Sequence, residues 1–155
     1  MTRRILQAAA VLFFLAVSLW AADDPFVGTW KLNLAKSNPE AAATFKSGVA
    51  RIEQRPGGLK TTADLVSADG MAIHTEFTAK YDGMDYPVTG DPYSDTIAIR
   101  QIDPNRAYSL WKKGGTAVAT AENVISADGK TWTETLLTRN AQGTAVTIIA
   151  VYDKQ

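Results

Sequence analysis

A closed, up-and-down antiparallel β-barrel of eight to ten strands, with one short helix after the first strand, is the all-β fold this sequence predicts. Three observations predict it. Turn dipeptides recur at near-regular spacing, the stretches between them favour strands, and a single segment carries helix signals. The turn signals are Gly57-Gly58, Asp69-Gly70, Asp82-Gly83, Pro104-Asn105, Gly114-Gly115, Asp128-Gly129 and Gln142-Gly143. Asp-Gly and Gly-Gly suit two-residue hairpins because those turns need positive φ. Most steps between them are 10 to 14 residues, about one strand plus one turn. The longer step from Asp82 to Pro104 has its own break at Gly90-Asp91-Pro92.

Strands are expected near 27–34, 48–55, 59–66, 71–81, 94–102, 106–113, 116–126, 130–139 and 144–152. Between the first two, Ser37-Asn38-Pro39-Glu40 supplies an N-cap and an early Pro, and Ala41 to Phe45 favours a short helix. Residues 71–81 alternate with period two: Met71, Ile73, Thr75, Phe77, Ala79 and Tyr81 share one face, with Ala72, His74, Glu76, Thr78 and Lys80 opposite. One buried and one wet face is the antiparallel pattern. The last strand sets Val146, Ile148 and Ala150 against Ile149 and Val151, so it is expected to be covered on both faces. A meander of nine strands leaves two open edges, and closure removes both. The likeness of Leu65-Val66-Ser67-Ala68-Asp69-Gly70 to Val124-Ile125-Ser126-Ala127-Asp128-Gly129 is read as the same turn chemistry used twice, the alternative being a duplicated half.

Residues 1–22 read as a signal peptide rather than as part of the fold. Arg3 and Arg4 precede an apolar run from Ile5 to Trp20, and Ala21-Ala22 offer small residues before the polar Asp23-Asp24-Pro25. The alternative is an uncleaved anchor, for which the run is short. Cleavage implies a secreted or periplasmic location. Taking 22 residues from the 155 leaves 133, residues 23–155, the size of one domain. Losing Arg3 and Arg4 leaves fourteen basic residues against sixteen acidic ones, so the mature net charge is about −2. That balance argues against nucleic acid and anionic lipid as partners. No other stretch approaches membrane-spanning length, and a monomer is expected. With no Cys there are no disulfides, so stability rests on a continuous core, for which eleven of the fourteen aromatic residues remain after residue 22.

The motif Phe26-Val27-Gly28-Thr29-Trp30-Lys31-Leu32 resembles the opening strand of the calycins, the superfamily of lipocalins and fatty-acid-binding proteins, whose pattern is Gly-x-Trp. The closing Ala150-Val151-Tyr152-Asp153-Lys154 resembles the last strand of fatty-acid-binding proteins, and the mature length and helical insert match that branch. The chain looks like a small secreted bacterial lipocalin-like protein. Two features depart from the pattern. Fatty-acid-binding proteins commonly hold the ligand carboxylate with an Arg two residues before the closing Tyr, where this chain has Ala150 before Tyr152. Lipocalins usually pack a late Arg over the motif Trp; here Arg139, one strand earlier, is the nearest candidate.

Trp30 is expected to plug one end of the barrel, since an indole buries a large area and needs one partner for its N–H. Phe77, Tyr81, Tyr108, Trp111 and Trp132 are candidate apolar walls for a ligand, with a solid, self-filled lumen as the alternative. Tyr108 and Trp111 are three apart in one strand, so one of them points outward. Arg100 and Arg139 lie within strands, and an inward guanidinium pairs with an acidic ligand. The turn-rich stretch from Tyr81 to Tyr93 is a candidate mouth loop whose carboxylates do not have calcium-loop spacing. His74 is expected on the surface. One His, no Cys, and no nucleophile-elbow, P-loop or dinucleotide motif leave neither a metal centre nor a catalytic constellation. The expected function is non-catalytic binding of a small, apolar ligand in the lumen, with no cofactor. The alternative is a packed, ligand-free barrel serving a structural or protein-interaction role; an enzyme using Arg or Tyr at the barrel mouth is the third reading.

Overall fold

In the computed structural model the described residues are 23–155; residues 1–22, expected from the sequence to be a signal peptide, lie outside them. Ten antiparallel strands form the barrel: β1 (Gly28–Leu32), β2 (Phe45–Arg55), β3 (Gly58–Ser67), β4 (Ala72–Ala79), β5 (Asp82–Thr89), β6 (Thr96–Asp103), β7 (Arg106–Lys113), β8 (Thr116–Ile125), β9 (Thr131–Arg139) and β10 (Ala145–Lys154). Each strand pairs with its neighbour in sequence, and β1 pairs with both β2 and β10, so the sheet closes. Trp30 lies opposite Lys154 and Leu32 opposite Tyr152 at the closing seam. The fold class expected from the sequence is therefore the one observed.

The tenth strand is β5, in a segment expected to be a loop. Asp82, Gly83, Asp85 and Pro87 give it little strand propensity, and the pairing demand of the barrel overrides that. β5 matches Asp85 to Ala98, Tyr86 to Ile97 and Pro87 to Thr96 on β6, but only Glu76–Thr89 and Phe77–Val88 on β4. Val88 N–H donates toward the β6 side, to Asp95 O at 2.8 Å. Because successive N–H groups point to opposite sides, the donor that Pro87 lacks falls on the sparsely paired β4 side. Tyr81, expected at the end of the fourth strand, instead sits in the turn before β5.

The helix α1 (Pro39–Thr44) follows β1 as the capping signals predict. Asn38 Oδ1 accepts from Ala41 N at 3.1 Å, and Pro39 opens the first turn. β1 is half the length of β10, and the segment after it completes the exposed upper edge. Asn33 N donates to Val151 O (2.8 Å) and Asn38 N to Ile149 O (3.0 Å). The Ser37 hydroxyl accepts from Val151 N at 2.9 Å, and Asn38 Oδ1 also accepts from Ile149 N at 3.0 Å. This strap places α1 beside β10 at the mouth, where Ala41 is fully buried.

At the opposite end the barrel is filled. Trp30 has no exposed surface, and its Nε1 donates to Phe26 O at 2.8 Å. Trp132 meets it edge-on at 6.1 Å and stacks on Tyr152 at 4.6 Å. Phe26, Ile52, Leu59, Ala107 and Ile125 complete this floor. Gly28 has φ +147°, and a Cβ there would lie 2.6 Å from Lys154 Cε. The cation over the motif Trp is Lys154, whose Nζ lies 5.0 Å from the ring centroid. Arg139, the residue nearest in sequence to the lipocalin pattern, is instead at the mouth, bonded to Gly143 O at 2.7 Å. The last residue also ends at the floor, where Gln155 N donates to Thr29 O at 2.9 Å.

Candidate functional site

Above the floor the lumen opens into a cavity of about 930 Å³ that reaches the mouth. Its emptiness follows from side-chain size. The inward positions of the middle and upper strands are largely small: Thr61 and Ala63 on β3, Thr75 on β4, Ser109 on β7, Ala117 and Ala119 on β8, and Ala150 on β10. A barrel of ten strands is wide enough that such residues cannot meet across it. A second groove of about 880 Å³ lies on the side of β1–β4, among Lys31, Lys46, Asp64 and His74. There His74 Nδ1 lies 2.7 Å from Asp64, both exposed, and this partner holds the Asp64 carboxyl below its ordinary range. The groove is open and mixed in charge, so the lumen is the candidate site.

Five of the seven residues singled out from the sequence line the lumen: Phe77, Tyr81, Trp111, Trp132 and Arg139. Phe77 packs edge-on against Trp111 at 5.6 Å, and Trp111 Nε1 is buried without a hydrogen-bond partner. The Tyr81 hydroxyl donates to Asp24 Oδ2 at 3.0 Å; burial first, then the Asp24 charge, pushes its pKa upward. Arg139 is exposed at the rim. Arg100 and Tyr108 are not in the lumen. Ile97 and Ile99 take the inward positions of β6, and Ala107, Ser109 and Trp111 those of β7, which turns Arg100 and Tyr108 outward. An inward Arg100 is thus corrected by strand alternation, and Trp111 is the inward member of the Tyr108/Trp111 pair.

Three lumen residues went unnoticed in the sequence: Glu134, Asn123 and Ser109. Trp132 Nε1 donates to Asn123 Oδ1 at 3.1 Å, and Asn123 Nδ2 donates to Ser109 Oγ at 3.3 Å. Asn123 and Ser109 are both buried, so this chain orients the Trp132 indole. Glu134 lies one inward position above Trp132, in register with Asn123 on β8 and Ala150 on β10. The side chain is half-buried and faces the cavity. Burial alone, with no cation or hydrogen bond set against it, pushes the Glu134 carboxyl up to about 7. Burial, and secondarily the nearby Glu134, pushes the Tyr152 hydroxyl upward too. The signal for Glu134 was available: Trp132, Glu134, Leu136 and Thr138 share one parity, and a Trp on that parity marks the inside.

No protein-family model and no curated protein matches the chain. The structure does resemble a solved one, the zebrafish ileal bile acid-binding protein complexed with cholic acid. The TM-score is 0.50 at 14% identity, over 84% of this chain and 99% of that one. The likeness is one of fold alone: this molecule is a closed, ten-stranded antiparallel barrel with one short helix after the first strand.

Proposed function

We propose that this protein binds a small, mainly apolar molecule inside the barrel and carries it without chemical change. The observation that supports this reading is the cavity of about 930 Å³, walled by Phe77, Trp111, Trp132, Leu136 and Ile148. Ligand sites are concave, largely apolar and preformed, with a few placed polar groups, at volumes of roughly 300–1,000 Å³. A ligand burying about 300 Å² of apolar surface gains about 7 kcal/mol before the cost of immobilisation. A lumen of this size favours carriage over the packed, ligand-free module. The fold neighbour's complex with cholic acid is consistent with the reading. In this proposal residues 1–22 direct export and residues 23–155 act as a secreted or periplasmic monomer, with no cofactor and no catalytic step.

Native mass spectrometry of the protein purified from its own host tests the proposal. A co-purified molecule of a few hundred daltons is the expected result. A clean apo mass under gentle conditions, together with no binding of apolar probes, would overturn it.

A further inference from the structure

We infer that the ligand is an apolar cation, a hydrocarbon or ring system bearing a basic or quaternary nitrogen, whose positive group seats beside the Glu134 carboxylate and against the Trp132–Tyr152 aromatic pair. The inference rests on the lumen-binding reading and names the class of molecule bound there.

Charge inside the barrel supports it. Among the described residues, Glu134 is the only ionisable carboxyl deep in the lining, and no Lys lines the cavity. Arg139 is the sole cationic lining residue among those described; it sits at the rim and its guanidinium donates to Gly143 O. The groups around Glu134 can be named strand by strand. β9 itself offers Trp132 below and Leu136 and Thr138 above; β8 offers Asn123, β10 offers Tyr152, and β7 offers Ser109. Tyr81 at the floor is engaged with Asp24, and Asp91 at the mouth is hydrogen-bonded to Tyr93 N and Ser94 Oγ. The remaining charge at that height is therefore acidic. A carboxylate ligand would meet Glu134 and find no buried guanidinium, because Ala150 occupies the position two residues before Tyr152.

The second support is aromatic. Trp132 and Tyr152 are stacked at an interplanar angle of 21°, and the Asn123 bond fixes the indole. Aromatic faces attract cations, most strongly where water is excluded, and quaternary nitrogens are well suited because they carry little hydration. A carboxylate one inward position away adds the complementary charge. An apolar cation arriving there displaces the proton that burial favours on Glu134, so its affinity rises as the pH climbs through about 7.

Isothermal titration with three ten-carbon probes tests this: decyltrimethylammonium, decanoate and decanol. At pH 8 the ammonium is expected to bind at least tenfold tighter than decanoate, and its affinity to fall roughly tenfold between pH 8 and pH 6. The quaternary head does not titrate, so the change with pH belongs to the protein. Glu134→Gln, which keeps the shape and removes a buried charge, is expected to abolish both the preference and the pH dependence. Decanoate binding as tightly as the ammonium in the wild-type protein at pH 8 overturns the inference, and so does an ammonium preference that survives Glu134→Gln. If decanol binds while the ammonium preference is absent, only this inference falls. If none of the three binds, the lumen-binding reading falls with it.

Discussion

Trp30, Trp132 and Tyr152 interlock at the floor of the barrel, in contact with Phe26 and Ile52. One or two inward positions higher, the same strands present Glu134, Ala150 and Ala50, and the space between them is open. Pairing is continuous through both levels on β9 and β10, so strand geometry does not separate them. Side-chain volume does. Aromatic rings meet at one end and close the barrel by dispersion and burial, whereas Ala, Ser and Thr at the other stop short of the axis. Close packing and open volume thus lie at different levels of one sheet, meeting at Trp132 and Tyr152.

Truncating one indole at each level tests that division most severely. Trp30→Ala is expected to cost about 3–5 kcal/mol in chemical denaturation, as for a fully buried aromatic residue. Trp111→Ala, whose ring faces the cavity and whose N–H has no partner, is expected to cost less than half as much. Equal losses would mean that the upper barrel is held as tightly as the floor. The next effect is one of pH. The folded state raises Glu134 from its ordinary 4.5 to about 7, so it holds that proton more tightly than the unfolded chain does. Its contribution is present in full below about 4.5 and is lost as the pH rises through 7. Glu134→Gln is accordingly expected to stabilise the protein at pH 8 by up to about 3 kcal/mol and to change it little at pH 4. A variant no more stable than wild type at pH 8 would show that water inside the lumen already solvates the carboxylate. The smallest effect concerns the mouth: Asn38→Ala removes the α1 cap and the acceptor for Ile149 N, at a cost of about 1–2 kcal/mol by urea midpoint. A larger loss would make the strap part of the cooperative core.

The legible part of the fold was the part written in local chemistry. Paired glycines and Asp-Gly steps marked most hairpins, and Asn38-Pro39 marked the helix. β5 was hidden because a Gly, a Pro and two Asp make poor strand signals, and only its barrel neighbours explain its conformation. The face of each candidate residue was readable where alternation was clear, as at Phe77, and unreadable at Arg100, where apolar residues fall on both parities of β6. Glu134 was missed for a different reason. A charged residue in a strand is ordinarily an outward one, and that expectation outweighed the shared parity with Trp132, whose burial shows which way the strand faces.

Phe26 beneath Trp30 and the bond from Gln155 N to Thr29 O put both ends of the described chain at the filled pole. A support attached at Asp23 or at Gln155 would therefore hold the molecule with its opening turned to solution, leaving the cavity mouth unobstructed.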